Sequence, residues 1–221
     1  MDITAVLLAR VILWFPAGQE LTAARVPLTD AARAIAARYA FEKYPQSADE
    51  WKAEVGAEFK YGRWNDTNIP QVTIYQRGIA IDTQTDTDDS DKILDDLLEW
   101  APRELNVSLQ RRPDERKLYV SQLVFASPMS LNSLHPVLEV IGTMLGGHLG
   151  WVSAGQQYET TEIRLHVDTS NLKLIPGPLI VARREGVPFS EHAYFSSAPV
   201  QTSQHKRILQ KLESALEARK K

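Results

Sequence analysis

The chain has 221 residues, of which 43% are hydrophobic and 24% are charged, and its formal net charge is −3. This balance is ordinary for a globular protein and gives no reason to expect broad electrostatic binding to nucleic acid or to an anionic membrane. The sequence has no cysteine, which excludes disulfides, thiolate nucleophiles, zinc–thiolate sites and iron–sulfur clusters. A reducing, cytoplasmic environment is the simplest expectation from that absence.

The apolar run at residues 3–15 predicts a buried strand, with a core helix as the alternative. We do not interpret it as a signal peptide, because Asp2 stands where positive charge is required and Arg10 interrupts the run. It is also too short to span a bilayer. Residues 27–45 then predict a helix that Thr29 caps and Pro45 closes. The apolar face of this helix consists of Ala32, Ile35, Ala36 and Tyr39.

Two patterns with a period of two follow this helix. In the stretch AEFKYGRW, Phe59 and Tyr61 alternate with polar residues, as they do in a strand. The next stretch, IPQVTIYQRGIAIDTQT, predicts a β-hairpin because apolar residues alternate in both of its arms. Gly78 falls in the expected turn region, where a positive φ is often required.

The acidic stretch IDTQTDTDDSDKILDDLLEW raises the question of a metal site. A calcium-binding EF-hand loop needs glycine at its sixth position and glutamate at its twelfth. Counted from Asp86, these positions are Asp91 and Leu97, so the motif fails. Asp86 and Asp88 are the expected ligands only in the case that a divalent cation does bind.

We instead interpret the acidic stretch as the start of an amphipathic helix, with Asp88, Asp89 or Ser90 as the cap. Pro102 should follow the end of this helix. The predicted buried stripe consists of Ile93, Leu94, Leu97, Leu98 and Ala101. The predicted solvated face contains Asp95, Asp96 and Glu99.

The rest of the chain alternates in the same way between strands and helices. A β region from Val107 to Ser127 should turn at RPDE and contain a central strand, KLYVSQLVF. A helix should begin around Pro136 and stop at Gly146 and Gly147. Strands are predicted at TTEIRLHVD and PLIVARREGVPF, and a helix at TSQHKRILQKLESALEARKK. The side chains predicted to face inward in these segments are Ile163, Leu165, Val167, Ile208, Leu209, Leu212, Ala215 and Leu216.

The predicted fold class is α+β, with helices packed on largely antiparallel sheets. The order β-α-β-β-α occurs twice, which divides the chain into halves at residues 1–105 and 106–221. No residue-level repeat relates the halves, so duplication and coincidence both remain open. No linker rich in proline, glycine or serine separates them, so we expect the halves to share an interface or to form one continuous domain.

The best catalytic candidate is the predicted strand at residues 160–168, where Arg164, His166 and Asp168 would project from one face. A hydrolase is therefore one functional hypothesis, although cross-strand ion pairs explain such a face equally well. Other motifs fail. Asp114, Glu115 and Lys117 are too crowded for a PD…(D/E)xK nuclease site, and Ser153 lacks the glycine of a nucleophile elbow. Neither a nucleotide-binding loop nor histidines at metal-binding spacing are found, so no cofactor is expected.

The stretch FKYGRW is the one place where aromatic and basic residues alternate, as they do in proteins that bind single-stranded nucleic acid. On a regular strand Phe59, Tyr61 and Arg63 would share one face, with Lys60 beside them. Nucleic-acid binding through Lys60 and Arg63 is the third hypothesis. The leading hypothesis is a non-catalytic interaction or assembly subunit of a bacterial or phage-type complex, with other protein subunits or copies of itself as partners and no membrane contact.

Overall fold

The structure is a computed structural model of the whole chain and describes residues 1–15, 26–51, 55–106, 116–128, 130–153, 158–172 and 175–219. Within these residues, four α-helices pack on antiparallel β-strands, which confirms the α+β class. The chain forms two compact units. The N-terminal unit contains Leu7–Ser121 and Val200–Thr202, and the C-terminal unit contains Met1–Val6, Gln122–Pro199 and Ser203–Lys221.

The first six elements begin with the strand predicted at the N-terminus. They are β1 (Asp2–Trp14), α1 (Leu28–Arg38), β2 (Ala57–Trp64), β3 (Thr67–Tyr75), β4 (Gly78–Thr83) and α2 (Thr87–Glu104). The hairpin of β3 and β4 is confirmed, and AEFKYGRW forms a strand of its own, β2. In the N-terminal unit the strands are ordered β2-β3-β4-β1-β5, where β5 (Arg116–Ala126) is the next strand along the chain.

The remaining elements repeat the same series. They are α3 (Pro136–Ser153), β6 (Glu162–Leu165), β7 (Leu179–Arg183), β8 (Ala193–Ala198) and α4 (Thr202–Arg219). In the C-terminal unit the strand order is β5-β8-β7-β6, and β6, β7 and β8 pair antiparallel. The order β-α-β-β-β-α therefore occurs twice, with one strand more in each run than the sequence predicts. The additional strand of the second run, β8, was not predicted. The predicted RPDE turn lies outside the described residues.

Burial in the N-terminal unit follows the predicted apolar faces. All four face residues of α1 and all five stripe residues of α2 are buried. They pack against side chains of the strands, including Val11, Phe59 and Ile81. Arg10, which interrupts the apolar run of β1, forms two hydrogen bonds at 2.6 and 2.7 Å to Asp82, its partner across the β1–β4 ladder. The charge is therefore compensated by a carboxylate in register. The predicted strand forms, but only its second half is buried, at Ala9, Val11 and Leu13, whereas Leu7 is 44% exposed.

A polar contact joins the two helices of the N-terminal unit through Asp96, a residue that was predicted to be solvated. Arg38 forms two hydrogen bonds to Asp96, at 2.9 and 2.6 Å, and the Tyr39 hydroxyl donates to the same carboxylate at 2.6 Å. Partial burial opposes ionisation of Asp96, but these bonds prevail and lower its pKa. The pKa of Tyr39 is raised, mainly by burial and to a smaller extent by the hydrogen bond to Asp96. The prediction of a fully solvated Asp96 was therefore wrong, because Arg38 and Tyr39 lie beside it.

Five predicted helix ends differ from the structure, among them the end of α1, which stops at Arg38 and does not reach Pro45. Pro27 rather than Thr29 precedes α1, and no side chain caps that end. The cap of α2 is Asp86, whose carboxylate accepts the Asp88 amide, and α2 continues past Pro102 to Glu104. α3 does not stop at Gly146 and Gly147 but extends to Ser153, with a non-helical residue at Leu149. Glycine lowers helix propensity by only about 1 kcal/mol, so a glycine pair does not have to end a helix.

Gly78 is required for a reason other than the predicted one. It is the first residue of β4, opposite Trp14 of β1, and it is not among the residues described with a positive φ. A Cβ at this position would lie 2.7 Å from the Leu13 carbonyl oxygen, so the close approach of β1 excludes a side chain.

The outermost strand of the N-terminal unit, β2, is covered along part of its edge. Lys43 and Lys60 exchange two backbone hydrogen bonds, at 3.2 and 2.8 Å, and the Arg63 amide donates to the Tyr39 carbonyl at 2.6 Å. Tyr61 has a positive φ, and a Cβ on the adjacent Gly62 would overlap the ring of Phe41. The segment that follows α1 therefore lies directly against this strand.

Candidate interaction surface

The C-terminal unit carries its apolar residues partly on the outside, and α3 shows this most clearly. The helix is 18 residues long, PVLEVIGTMLGGHLGWVS, and Glu139 and His148 are its ionisable residues. Six of its large apolar side chains are between 40% and 85% exposed. We define the outer face of α3 as Val137, Val140, Ile141, Met144, Leu145, Gly147, His148 and Trp151. Among the described residues, no helix, α3 included, is long and apolar enough to cross a membrane.

The opposite side of α3 is its point of attachment to the C-terminal unit. Gly142 is buried, and a Cβ there would overlap the carbonyl oxygen of Tyr158. Glycine therefore lets the helix backbone lie directly on the segment at residues 158–160. Leu138 and Leu149 are partly buried, whereas the six exposed apolar side chains belong to the outer face.

A set of hydrogen bonds fixes the segment on which α3 rests. The Thr160 amide donates to the Asn132 side chain at 2.6 Å, and the Ser130 hydroxyl donates to Glu159 at 3.4 Å. Ser130 and Asn132 belong to a short 3-10 helix, Leu131–Leu134, and its cap, which precede α3 directly. Glu159 also accepts a hydrogen bond at 2.6 Å from Arg183 of β7. The base of α3 is thereby bonded to the sheet of the C-terminal unit.

Arg183 is the buried centre of this support. Its side chain is 5% exposed, and it donates to the Phe189 carbonyl at 2.7 Å in addition to Glu159. The guanidinium lies over the rings of Phe189 and Tyr194, with distances of 4.5 and 5.1 Å to the ring centroids. Burial raises the pKa of Tyr194. A charge buried with a carboxylate partner and two rings is typical of a structural anchor.

The outer face follows the spacing of helices that pack against other helices. Val137, Ile141, Met144 and His148 are separated by four, three and four residues, the spacing of a coiled-coil seam, and Trp151 follows beyond the non-helical Leu149. Val140, Leu145 and Gly147 flank this seam. In a helix that covers its own core, such a stripe would be buried, whereas Ile141 is 48% and Met144 59% exposed.

The predicted catalytic residues lie at and beyond the end of a short strand. β6 ends at Leu165, so the alternation expected to align Arg164, His166 and Asp168 does not continue through them. Arg164 bonds to Glu162 at 3.0 Å, His166 Nδ1 lies 2.8 Å from the Val167 carbonyl, and Asp168 accepts from the Ser170 hydroxyl at 2.5 Å. Each residue is exposed and is bonded to a near neighbour in the sequence.

Several apolar positions in the same region were predicted to point inward and do not. Leu165 is 59% and Val167 45% exposed, while Ile163 is partly buried against the core of the C-terminal unit. On α4, Leu209 and Leu216 are buried as predicted, but Ala215 is exposed and Ile208 is 37% exposed. These predictions were wrong because a period in the sequence identifies a face without showing that another element covers it.

The acidic start of α2 contains Asp86 and Asp88, the two residues expected to be ligands if a divalent cation binds. Asp86 Oδ1 accepts hydrogen bonds from the Asp88 amide at 3.2 Å and from the Thr87 hydroxyl at 3.4 Å, while the Asp88 side chain is exposed. Asp89 bonds to Lys92 and to Thr85, and these bonds lower its pKa. Within the described part of the chain, no three histidine, aspartate or glutamate side chains form a group that could hold a metal ion.

The proposed stacking face in FKYGRW does not form, because the left-handed Tyr61 breaks the alternation of β2. Phe59 is fully buried, whereas Tyr61 is 55% exposed and has the Lys43 ammonium over its ring at 5.3 Å. Lys60 pairs with Glu58 at 2.6 Å, and Arg63 is exposed. The prediction that Phe59, Tyr61 and Arg63 share one face was therefore wrong.

A cleft of about 560 Å³ lies beside β2 and has walls of mixed charge. Lys60 pairs with Glu58, Lys43 lies over Tyr61, and Glu50 accepts a hydrogen bond from Ser47. These four charged groups of the cleft interact with their own neighbours, and this arrangement favours a solvated surface depression.

One buried pair of polar residues, which was not predicted from the sequence, consists of the residue types of a nucleophile and its base. Ser196 and His205 are both fully buried, and Ser196 Oγ lies 2.8 Å from His205 Nε2. The serine hydroxyl donates to the Ile180 carbonyl at 2.7 Å, so Nε2 must be the donor to Ser196 and cannot accept its proton. The pair joins β7, β8 and α4, and its geometry is that of a structural contact.

No family model matches the sequence, and no curated protein matches it either.

Proposed function

We propose that this chain is a non-catalytic assembly subunit that binds other protein subunits through the outer face of α3. The observation that carries the proposal is that α3 presents a coiled-coil seam of large apolar side chains to solvent. Exposed contiguous apolar patches are rare on proteins that function alone, and they commonly mark interaction sites.

The chemistry of the outer face favours a protein partner. His148 is its single ionisable residue, so a highly charged ligand such as nucleic acid would find little to pair with. Burial of a half-exposed Ile141 or Met144 against an apolar partner contributes roughly 1 kcal/mol each. Helix-in-groove and helix–helix recognition both use anchors at this spacing.

The support beneath α3 is consistent with a binding element that keeps its shape. Asn132, Glu159 and Arg183 hold the base of the helix through bonds of 2.6 Å. A surface that is fixed before the partner arrives pays less conformational entropy on binding. The hydrolase alternative has less support, since Arg164, His166 and Asp168 each bond to a different neighbour.

The test is photo-cross-linking in the native cells, with a photoreactive amino acid in place of Ile141. The matched control replaces Val55, which is 57% exposed in the N-terminal unit and lies outside the outer face. We expect protein adducts from position 141 and none from position 55. If position 141 forms no intermolecular adduct in a chain that melts like the wild type, the proposed function is wrong.

A further inference from the structure

We propose that the occupant of the outer face is α3 of a second copy of this chain, packed antiparallel. This inference rests on the proposed function and adds the identity and direction of the partner. The two helices would meet about a two-fold axis that passes between Gly142 and Thr143. Ile141 of each copy then lies opposite Met144 of the other, and Val137 lies opposite His148.

The outer face carries bulk and open space on the same flank of its seam. Val140 lies on this flank and is followed one heptad later by Gly147, which has no side chain. A Cβ at Gly147 would have no atom within 4 Å, so this position is an open gap in the surface. An antiparallel pair places Val140 of one copy beside the gap at Gly147 of the other.

A parallel pair would lose this complementarity. Seam residues of the same number would then face each other, so that Ile141 meets Ile141 and Met144 meets Met144. The flanks that carry Val140 and Gly147 would lie on opposite sides of the interface in the two copies. Val140 of one copy would then be out of reach of the gap at Gly147 of the other. Because interfaces reach the packing density of protein interiors, the antiparallel direction is the better fit.

The area available is sufficient for a specific but reversible pair. Trp151 is 85% exposed, and five further apolar side chains of the outer face are 40% to 59% exposed. Together they amount to on the order of 500 Å² of apolar surface per copy, or about 1,000 Å² for the pair. This is close to the lower limit of specific interfaces, so a dimer should dissociate on dilution.

The charge pattern also suits a second copy. No two groups of like charge meet across the seam, because His148 is its single ionisable residue and lies opposite Val137. A polar residue at one seam position weakens a helix pair but fixes its register, because any other alignment leaves it against a different neighbour. The outer face can therefore meet a copy of itself without an unpaired charge.

The first test measures mass by light scattering over a range of concentrations. We expect reversible association from 24.9 kDa to twice that mass. Gly147→Ala should weaken association about tenfold or more, because the added methyl group overpacks the gap that Val140 fills. Gly150→Ala is the matched control, since that position also has open space for a methyl group but lies beyond the non-helical Leu149 and is not part of the outer face, and association should be unchanged.

The second test uses the absence of native cysteine to determine direction. Chains with Ile141→Cys and chains with Met144→Cys, mixed and oxidised, should form disulfides that join the two unlike variants. Val137→Cys alone should not cross-link, because its two copies would be roughly 16 Å apart along an antiparallel pair at 1.5 Å rise per residue.

The outcomes separate this inference from the proposed function. Efficient self-cross-linking of Val137→Cys would overturn the antiparallel direction. A chain that stays at 24.9 kDa at every concentration would overturn the homodimer, while adducts from position 141 to other proteins would still support the assembly role. Equal effects of Gly147→Ala and Gly150→Ala on association would also count against the proposed pairing.

Discussion

The helices α1 and α3 hold the same place in the two runs of β-α-β-β-β-α, yet their apolar residues have opposite environments. In α1, Ala32 and Ile35 are 0% and 3% exposed against the core of the N-terminal unit. In α3, Ile141 and Met144 are 48% and 59% exposed. Both helices carry an apolar stripe, and only the first covers it within its own unit. The comparison teaches that one element order can serve either to close a core or to present a surface.

The difference extends beyond these two helices. Among the described residues, the N-terminal unit exposes five large hydrophobic side chains and the C-terminal unit thirteen. The buried cluster of the N-terminal unit includes residues of α1, α2 and the strands, whereas that of the C-terminal unit contains no residue of α3. The C-terminal unit therefore leaves more apolar surface exposed and available for a partner, whereas the N-terminal unit buries most of its apolar residues in its own core.

The sharpest way to break this comparison is to make the same substitution in both helices. Ile35→Ala should lower the free energy of unfolding by about 2 to 5 kcal/mol, because it removes buried methyl groups. Ile141→Ala should lower the free energy of unfolding by less than about 1 kcal/mol, since the side chain is half-exposed. Both values are measured by urea denaturation at low protein concentration. Equal losses would mean that the outer face is already covered within a single chain.

A smaller effect is expected where α3 contacts its support. Gly142→Ala should destabilise the chain by about 1 to 3 kcal/mol, because the methyl group would overlap the Tyr158 carbonyl oxygen. Gly150→Ala provides the control on the same helix, where open space and better helix propensity should raise stability by up to about 1 kcal/mol. Thermal melts followed by circular dichroism distinguish the two, and a harmless Gly142→Ala would show that α3 is not attached there.

The smallest effect concerns the pH dependence of the N-terminal unit. The folded pKa of Asp96 is lowered, so its contribution is present above the unfolded pKa of about 3.9 and is lost as pH falls through the folded pKa. Asp96→Asn should cost roughly 1 to 2 kcal/mol at pH 7 and reduce the loss of stability below about pH 4. Asp66→Asn, at a fully exposed residue, should change neither quantity in urea titrations at several pH values.

Local pattern was sufficient to predict most elements of the N-terminal unit. The buried second half of β1, the apolar residues of β3 and β4 and the stripes of α1 and α2 are covered by neighbouring elements, so their predicted apolar faces are buried. The prediction was wrong where a distant contact decides the outcome. Asp96 lies next to Arg38 and Tyr39, fifty-eight and fifty-seven residues away, and no local pattern contains that information.

The candidate surface was missed for two physical reasons. The glycines at 146 and 147 were interpreted as a helix stop, which removed His148 from the seam before its spacing could be recognised. In addition, an apolar stripe looks the same in sequence whether it faces a core or solvent. The signal that could have found it was the continuation of the four-three spacing across the glycine pair.

The covered edge of β2 has a consequence for the behaviour of concentrated or heated samples. Because the strand beginning at Ala57 already exchanges backbone bonds with Lys43, another chain cannot easily add a strand there. The strand β6, at the outer end of the C-terminal unit, has four residues and relies on the charges of Glu162 and Arg164 for protection. Fibre growth, where it occurs, should therefore start from β6, and storage conditions that screen those two charges should shorten the lag before turbidity.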